Sequence, residues 1–119
     1  MVYGTLRLGM SNFAFMRDSE MIDSFWLDGF CMYRNKEDCY PYVVKGRGRV
    51  WVELFRVSSE VMEDLDRLED YPDMYGRELL RVKDVDAWIY VYNFEKRPDA
   101  VEISHGDWVT YYNENISNT

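Results

Sequence analysis

The sequence has few of the residues that build metal sites and cross-links. It contains one histidine, His105, and two cysteines, Cys31 and Cys39, whose spacing matches neither a redox Cys-x-x-Cys pair nor half of a zinc site. We therefore predict no metal site built from histidine or cysteine, and we interpret both thiols as reduced in a cytoplasmic protein, with a disulfide between them as the alternative. The single histidine also weakens any proposal of a Ser-His-Asp triad.

Positive charge is scarce as well. The chain has 14 Lys and Arg against 22 Asp and Glu, which gives a formal net charge of -8 at pH 7. Such a surface repels phosphate backbones and anionic lipids, so we expect neither nucleic acid nor a membrane as a partner. No apolar run approaches the roughly 20 residues of a membrane-spanning helix, and no signal peptide is visible after Met1.

Apolar and aromatic residues are abundant. They make up 47% and 17% of the 119 residues, which is enough for one compact core without cross-links. The predicted order is strands, one clear helix, then strands, which indicates a small α+β domain. We predict a mixed or antiparallel, barrel-like sheet with one main helix and short helical turns, a single domain over residues 1–112, and a frayed polar tail over residues 113–119.

The strand signals are short apolar segments separated by polar or glycine-rich ones. Residues 45–48, which read Lys-Gly-Arg-Gly, have the composition of a turn. Asp28-Gly29, within the predicted strand 26–33, indicates a bulge or bend. Residues 107–112 predict one helical turn. The predicted strands cover residues 1–6, 26–33, 40–44, 49–57, 77–82 and 87–94.

One helix is predicted from Ser59 to Glu69, with an N-cap signal before it and Pro72 after it. Its apolar stripe comprises Val61, Met62, Leu65 and Leu68. Glu69 lies about 50° from the centre of that stripe, nearer than the other acids of the helix. Partial burial and the carbonyls of the last turn should raise the pKa of Glu69, so that it can exchange a proton near neutral pH. The alternative is an exposed glutamate paired with Arg67, Arg77 or Arg81.

Two segments carry a resemblance to a known family. Residues 2–7 read Val-Tyr-Gly-Thr-Leu-Arg, and residues 65–72 read Leu-Asp-Arg-Leu-Glu-Asp-Tyr-Pro, followed by Tyr75 and Arg77. Together, and in this order, they resemble the two signature segments of γ-glutamylcyclotransferase-like proteins. Thr5 and the basic residue at position 7 are most similar to the γ-glutamylamine cyclotransferase branch.

The resemblance implies a barrel-like α+β fold and an unusual cleavage of an amide. The substrate's own α-amine attacks its γ-glutamyl carbonyl, which yields 5-oxoproline and a free amine or amino acid. Glu69 matches the family's catalytic acid/base, and no cofactor is needed. The resemblance assigns substrate binding to Tyr3, Gly4, Thr5, Leu6, Arg7 and Tyr75, with backbone N–H groups of the loop facing the α-carboxylate or the developing oxyanion.

Other readings remain open from the sequence. The chain is alternatively a non-catalytic member of the fold that binds a small ligand or a protein, or a hydrolase that uses Glu69 with Glu53. Among the large apolar residues around it, Glu53 is better interpreted as a buried structural acid. Arg7 is either a substrate contact or a salt-bridge partner. Val52 replaces a glycine common in the family and would narrow the cavity if it lined it.

Overall fold

The chain folds into antiparallel strands and two α-helices, which a computed structural model describes for residues 1–117. A short 3-10 helix, Phe13–Met16, precedes the first strand. The other elements are β1 (Glu20–Arg34), β2 (Tyr42–Arg56), α1 (Ser59–Leu68), β3 (Tyr75–Val82), β4 (Val85–Tyr92), β5 (Val101–Glu102) and α2 (Trp108–Asn115). One sheet has the strand order β2-β1-β5, and a second sheet consists of β3 and β4.

The α+β class and the antiparallel sheets are confirmed, but the sheets do not close into a barrel. The predicted first strand, residues 1–6, is reduced to one isolated bridge between Val2 and Glu53. It ends there because the chain turns, with the Arg7 N–H donating to the Gly4 carbonyl at 3.0 Å. The N-terminal segment therefore enters as a loop beside β2.

The turn predicted at residues 45–48 is wrong, because these residues lie inside β2. They face the bulge of β1 at Gly29, where φ is 97°. A Cβ atom on Gly46 would lie 2.6 Å from the Cys31 sulfur, and one on Gly48 would lie 3.1 Å from it. The glycines thus permit close approach of β1 rather than a chain reversal.

The hairpin of β3 and β4 confirms the two strands predicted after the helix, and β3 begins two residues earlier, at Tyr75. Its connection consists of Lys83 and Asp84, with φ values of 48° and 64°. Positive φ at both central residues is the geometry of a type I′ turn, whose twist matches that of paired strands.

Helix α2 begins at its N-cap Asp107, whose carboxylate accepts a hydrogen bond from the Thr110 N–H at 3.3 Å. It continues to Asn115, so the prediction of a frayed tail from residue 113 is wrong for its first three residues. Its Trp108 is fully buried in the core, and this packing stabilises a second helical turn that the polar sequence does not favour by itself. Residues 118–119 of the predicted tail lie outside the described residues.

Two buried clusters fill the interior. One joins β1, β2 and β4 to Trp108. The other lies beneath helix α1 and packs its Val61 and Leu65 against Leu6 of the N-terminal loop and Tyr90 of β4.

Across residues 1–117, no helix has the length and apolarity to cross a membrane. In the same residues, no group of three or more His, Cys, Asp or Glu side chains is placed to hold a metal ion.

Candidate active site

Helix α1 ends in a cap that fixes Glu69 at its C-terminus. Asp70 adopts a left-handed conformation, with φ of 52°. Its N–H donates to the Arg67 carbonyl at 3.2 Å, and the Tyr71 N–H donates to the Asp66 carbonyl at 2.9 Å. These two bonds form a Schellman motif, which satisfies the last carbonyls of the helix. The backbone of Glu69 is therefore held in place by local hydrogen bonds.

Burial raises the pKa of the Glu69 carboxyl from its ordinary 4.5 to about 7. Among residues 1–117, no hydrogen bond or ion pair satisfies this carboxyl. The three arginines considered as its partners pair elsewhere: Arg67 with Asp64, Arg77 with Asp66, and Arg81 with Asp86. The alternative reading of Glu69 as an exposed salt-bridge residue is therefore wrong.

Glu69 lines a cavity of about 530 Å³ between the N-terminal loop, the end of α1 and the β1–β2 connection. Five of the six predicted substrate residues line this cavity with Glu69. They are Tyr3, Gly4, Thr5, Leu6 and Tyr75. Further lining residues are Met1, Val2, Ser11, Asn12, Cys39, Tyr40, Pro41, Leu68, Asp70, Met74 and Tyr90.

The N-terminal loop lines one side of the cavity. Asn12 fixes the loop, because its N–H donates to the Thr5 carbonyl at 2.8 Å and its side-chain amide donates to the Thr5 hydroxyl at 2.9 Å. Within the described residues, the backbone N–H groups of Gly4, Thr5 and Leu6 have no protein acceptor. Consecutive unpaired N–H groups beside a cavity can bind an anion.

Pro41, opposite the N-terminal loop, leaves no room for a side chain at position 4. A Cβ atom on Gly4 would lie 2.7 Å from Cγ of Pro41, so any side chain there would push the loop and the wall apart. Pro41 and Tyr40 belong to the β1–β2 connection, residues 35–41. Arg34 holds this connection by donating to the carbonyl groups of Asn35, Lys36 and Asp38.

Three tyrosines surround the carboxyl. Burial raises the pKa of Tyr3, Tyr75 and Tyr90, and the charge of Glu69 raises each of them further. The Tyr3 hydroxyl donates to the Tyr90 carbonyl at 3.0 Å. In residues 1–117 the Tyr75 hydroxyl has no protein partner, which leaves it able to bond a substrate. Tyr90 was not predicted as a site residue, because only the pairing of β3 with β4 brings it to the cavity.

Arg7 does not line the cavity. It is buried on the other side of the loop, where its Nε lies 3.1 Å from Glu53 Oε2 and its Nη1 lies 2.7 Å from Asp107 Oδ1. Glu53 also accepts a hydrogen bond from the Leu8 N–H at 2.8 Å. Arg7 is thus a salt-bridge partner rather than a substrate contact, and Glu53 is the buried structural acid favoured above. A hydrolase using Glu53 with Glu69 has no support.

Val52 is also remote from the cavity. Its side chain is fully buried in the cluster with Trp108 and is not among the lining residues. The condition under which Val52 would narrow the substrate site is therefore not met. The valine fills the core instead.

Comparison with known proteins places this geometry in a family. The profile of the family described as "Gamma-glutamyl cyclotransferase, AIG2-like" matches residues 1–110. The gamma-glutamylcyclotransferase family protein YtfP of Escherichia coli K12 is 33% identical over 110 residues, which are 91% of this chain and 93% of YtfP.

Solved structures give the same result. A Pyrococcus horikoshii protein superposes with a TM-score of 0.81 at 26% identity, covering 95% of this chain and 91% of that one. The solution structure of E. coli YtfP has a TM-score of 0.71 at 31% identity, with 92% and 95% covered. A mouse AIG2-like protein has a TM-score of 0.71 at 25% identity, with 82% and 78% covered. The chain belongs to the AIG2-like γ-glutamyl cyclotransferase family.

Proposed function

We propose that the protein is a γ-glutamylamine or γ-glutamyl-amino-acid cyclotransferase that uses Glu69 as its one general acid/base. The observation that carries the proposal is the Glu69 carboxyl itself. It is largely buried, lacks a protein partner in residues 1–117, and lines the same cavity as Gly4, Thr5 and Leu6, whose backbone N–H groups have no protein acceptor in these residues. A carboxyl with a pKa of about 7 can both accept and return a proton near neutral pH.

The reaction needs this property because its nucleophile begins as an ammonium. Glu69 removes one proton from the α-ammonium, and the free amine then attacks the γ-carbonyl carbon. The bond from that carbon to the leaving nitrogen breaks as the ring closes. Two protons leave the attacking nitrogen and two reach the leaving nitrogen, and Glu69 carries them in turn. Charge and protons balance without a second acid.

The N-terminal loop would orient the substrate for ring closure. Its unpaired N–H groups suit either the α-carboxylate or the oxygen of the carbonyl under attack, which gains negative charge as the ring forms. Because nucleophile and electrophile belong to one molecule, holding the substrate folded supplies much of the rate. The Tyr75 hydroxyl is a further hydrogen-bonding group on the same wall.

The charge of the cavity supports an amine as the leaving group. Among the described lining residues, Glu69 and Asp70 are acidic and none is lysine or arginine. A leaving amino acid would bring a carboxylate that has no cationic side chain to pair with there. A neutral or cationic amine has no such penalty, so γ-glutamylamines should be preferred over γ-glutamyl α-amino acids.

The test is release of 5-oxoproline from a panel of γ-glutamylalkylamines, γ-glutamyl-ε-lysine, γ-glutamyl amino acids and glutathione. We expect turnover of at least one class by the natural protein and its loss in Glu69→Gln, with Glu63→Gln as the control on the exposed face of α1. A Glu69→Gln variant with near-natural turnover would exclude the mechanism. No 5-oxoproline from any compound, together with measurable binding, would instead support a non-catalytic binding protein.

A further inference from the structure

A row of buried and partly buried side chains leads from the outer strand β3 to the cavity. It begins at Arg77, whose guanidinium carbon lies 4.3 Å from the Tyr71 ring centre and 4.7 Å from the Trp88 ring centre. The side chain of Arg77 is only 19% exposed, and its Nε is buried without a partner in the described residues. Stacking between two rings leaves the guanidinium little freedom to move.

The row continues through Asp66 to Tyr90. Nη1 of Arg77 lies 3.5 Å from Oδ2 of Asp66, and the Tyr90 hydroxyl donates to Oδ1 of Asp66 at 2.6 Å. This short bond to a carboxylate engages the only proton of the hydroxyl. The oxygen of Tyr90 can therefore act toward the cavity only as an acceptor.

Glu69 is the group that such an acceptor would serve. Tyr90 and Glu69 line the same cavity, and Asp66 lies three residues before Glu69, on the neighbouring position of α1. No hydrogen bond joins the Tyr90 hydroxyl to Glu69 in the described residues. We propose that Asp66 and Arg77 are positioning residues that hold the Tyr90 hydroxyl so that it accepts a hydrogen bond from Glu69 once Glu69 is protonated. The other titratable groups that line the cavity or act on this cluster are the Met1 amine, the Cys39 thiol and Tyr3, Tyr40, Tyr75 and Asp70.

The arrangement gives the proton a defined place during the reaction. Once Glu69 has taken a proton from the α-ammonium, its O–H can donate to the Tyr90 oxygen until the leaving nitrogen accepts that proton. Tyr90 would thereby stabilise the acid form of Glu69 without competing for its proton. The kinetic consequence rests on the proposed function, whereas the effect on Glu69 does not.

The decisive experiment therefore measures Glu69 directly. Carbon-13 NMR of the glutamate carboxyl carbons is recorded against pH for the natural protein, Tyr90→Phe and Asp64→Asn, with Glu69→Gln assigning the resonance. Loss of the acceptor in Tyr90→Phe should lower the pKa of Glu69 by about 0.5 or more, the equivalent of one ordinary hydrogen bond. Asp64→Asn, which removes an acid from an outer position of the same helix, should leave the pKa unchanged.

A kinetic measurement on the preferred substrate tests the positioning role. Tyr90→Phe and Asp66→Asn should each lower kcat about tenfold with KM within about twofold, and their effects should not add in the double variant because Asp66 acts through Tyr90. A Glu69 pKa unchanged in Tyr90→Phe overturns the inference, whether or not 5-oxoproline is formed. A lowered pKa in a protein that makes no 5-oxoproline retains the inference and rejects the cyclotransferase.

Discussion

Replacing Glu69 by glutamine should make the protein more stable at alkaline pH. The pKa of Glu69 is about 7 in the folded protein and 4.5 in the unfolded chain. Between these values the folded state binds more protons, so stability falls as the pH rises. Glutamine has the shape of the protonated acid but no proton to lose, so the variant escapes this loss.

The size of the effect follows from the pKa difference. The difference between a pKa of 4.5 and one of about 7, at about 1.4 kcal/mol for each pH unit, sets an upper limit of about 3 kcal/mol on this loss of stability above pH 7. Partial contact of the carboxyl with solvent reduces this to about 2 kcal/mol. For a chain of 119 residues, that corresponds to an increase in Tm of about 8 °C.

Urea unfolding at about pH 4.5 and about pH 8.5 measures the effect, with Glu63→Gln as the control. The exposed Glu63 lies on the same helix, so its replacement removes one charge without changing a buried group. We expect Glu69→Gln and the natural protein to differ little at the lower pH and by about 2 kcal/mol at the higher. Equal stability at both pH values would show that Glu69 is solvated, and the argument for a tuned acid would fail.

Three further substitutions test other contacts. Arg7→Leu should lower the free energy of unfolding by about 3 kcal/mol in urea titrations, because it leaves the Glu53 carboxylate buried without its cation. A loss below about 1 kcal/mol would contradict the role of Arg7 as the structural partner of Glu53. Gly4→Ala should reduce kcat/KM about tenfold, because the new Cβ would collide with Pro41. Adding Pro41→Ala to this variant should restore part of the lost kcat/KM, and unchanged kinetics in Gly4→Ala would refute the clash. Asp84→Gly should raise the free energy of unfolding by about 1 kcal/mol and leave activity unchanged, because glycine adopts the φ of 64° without strain. A lower Tm in this variant would contradict the assignment of a type I′ turn.

The features that could be predicted from the sequence are mostly local. Helix α1 was predicted because its cap, its apolar spacing and its stop are all encoded within 15 residues, and the N-cap Ser58 indeed accepts a hydrogen bond from the Val61 N–H at 3.1 Å. The orientation of Glu69 followed from the same helical geometry. The bulge at Gly29 was also predicted, because glycine followed an aspartate within an otherwise regular strand pattern.

The features that were missed depend on contacts between distant segments. Residues 45–48 were interpreted as a turn, since nothing in that segment shows that Cys31 packs against its glycines. Arg7 was assigned to the substrate, although Glu53 and Asp107, 46 and 100 residues away, bind it. In both cases the sequence marks the segment as special, by its glycines or by a charged residue in an apolar region. The residues that contact it are distant in sequence and become identifiable only when the strands are paired.

The end of α1 and the connection between β1 and β2 form different parts of the cavity wall. In the proposed mechanism Glu69, at the end of α1, carries the proton, while Tyr40 and Pro41 form a wall on a hairpin connection that Arg34 holds. Exchanging side chains along this connection should therefore alter which amine is accepted and leave the proton carrier undisturbed. Selection for new leaving groups can thus act on a few adjacent codons, far along the chain from those that encode the chemistry.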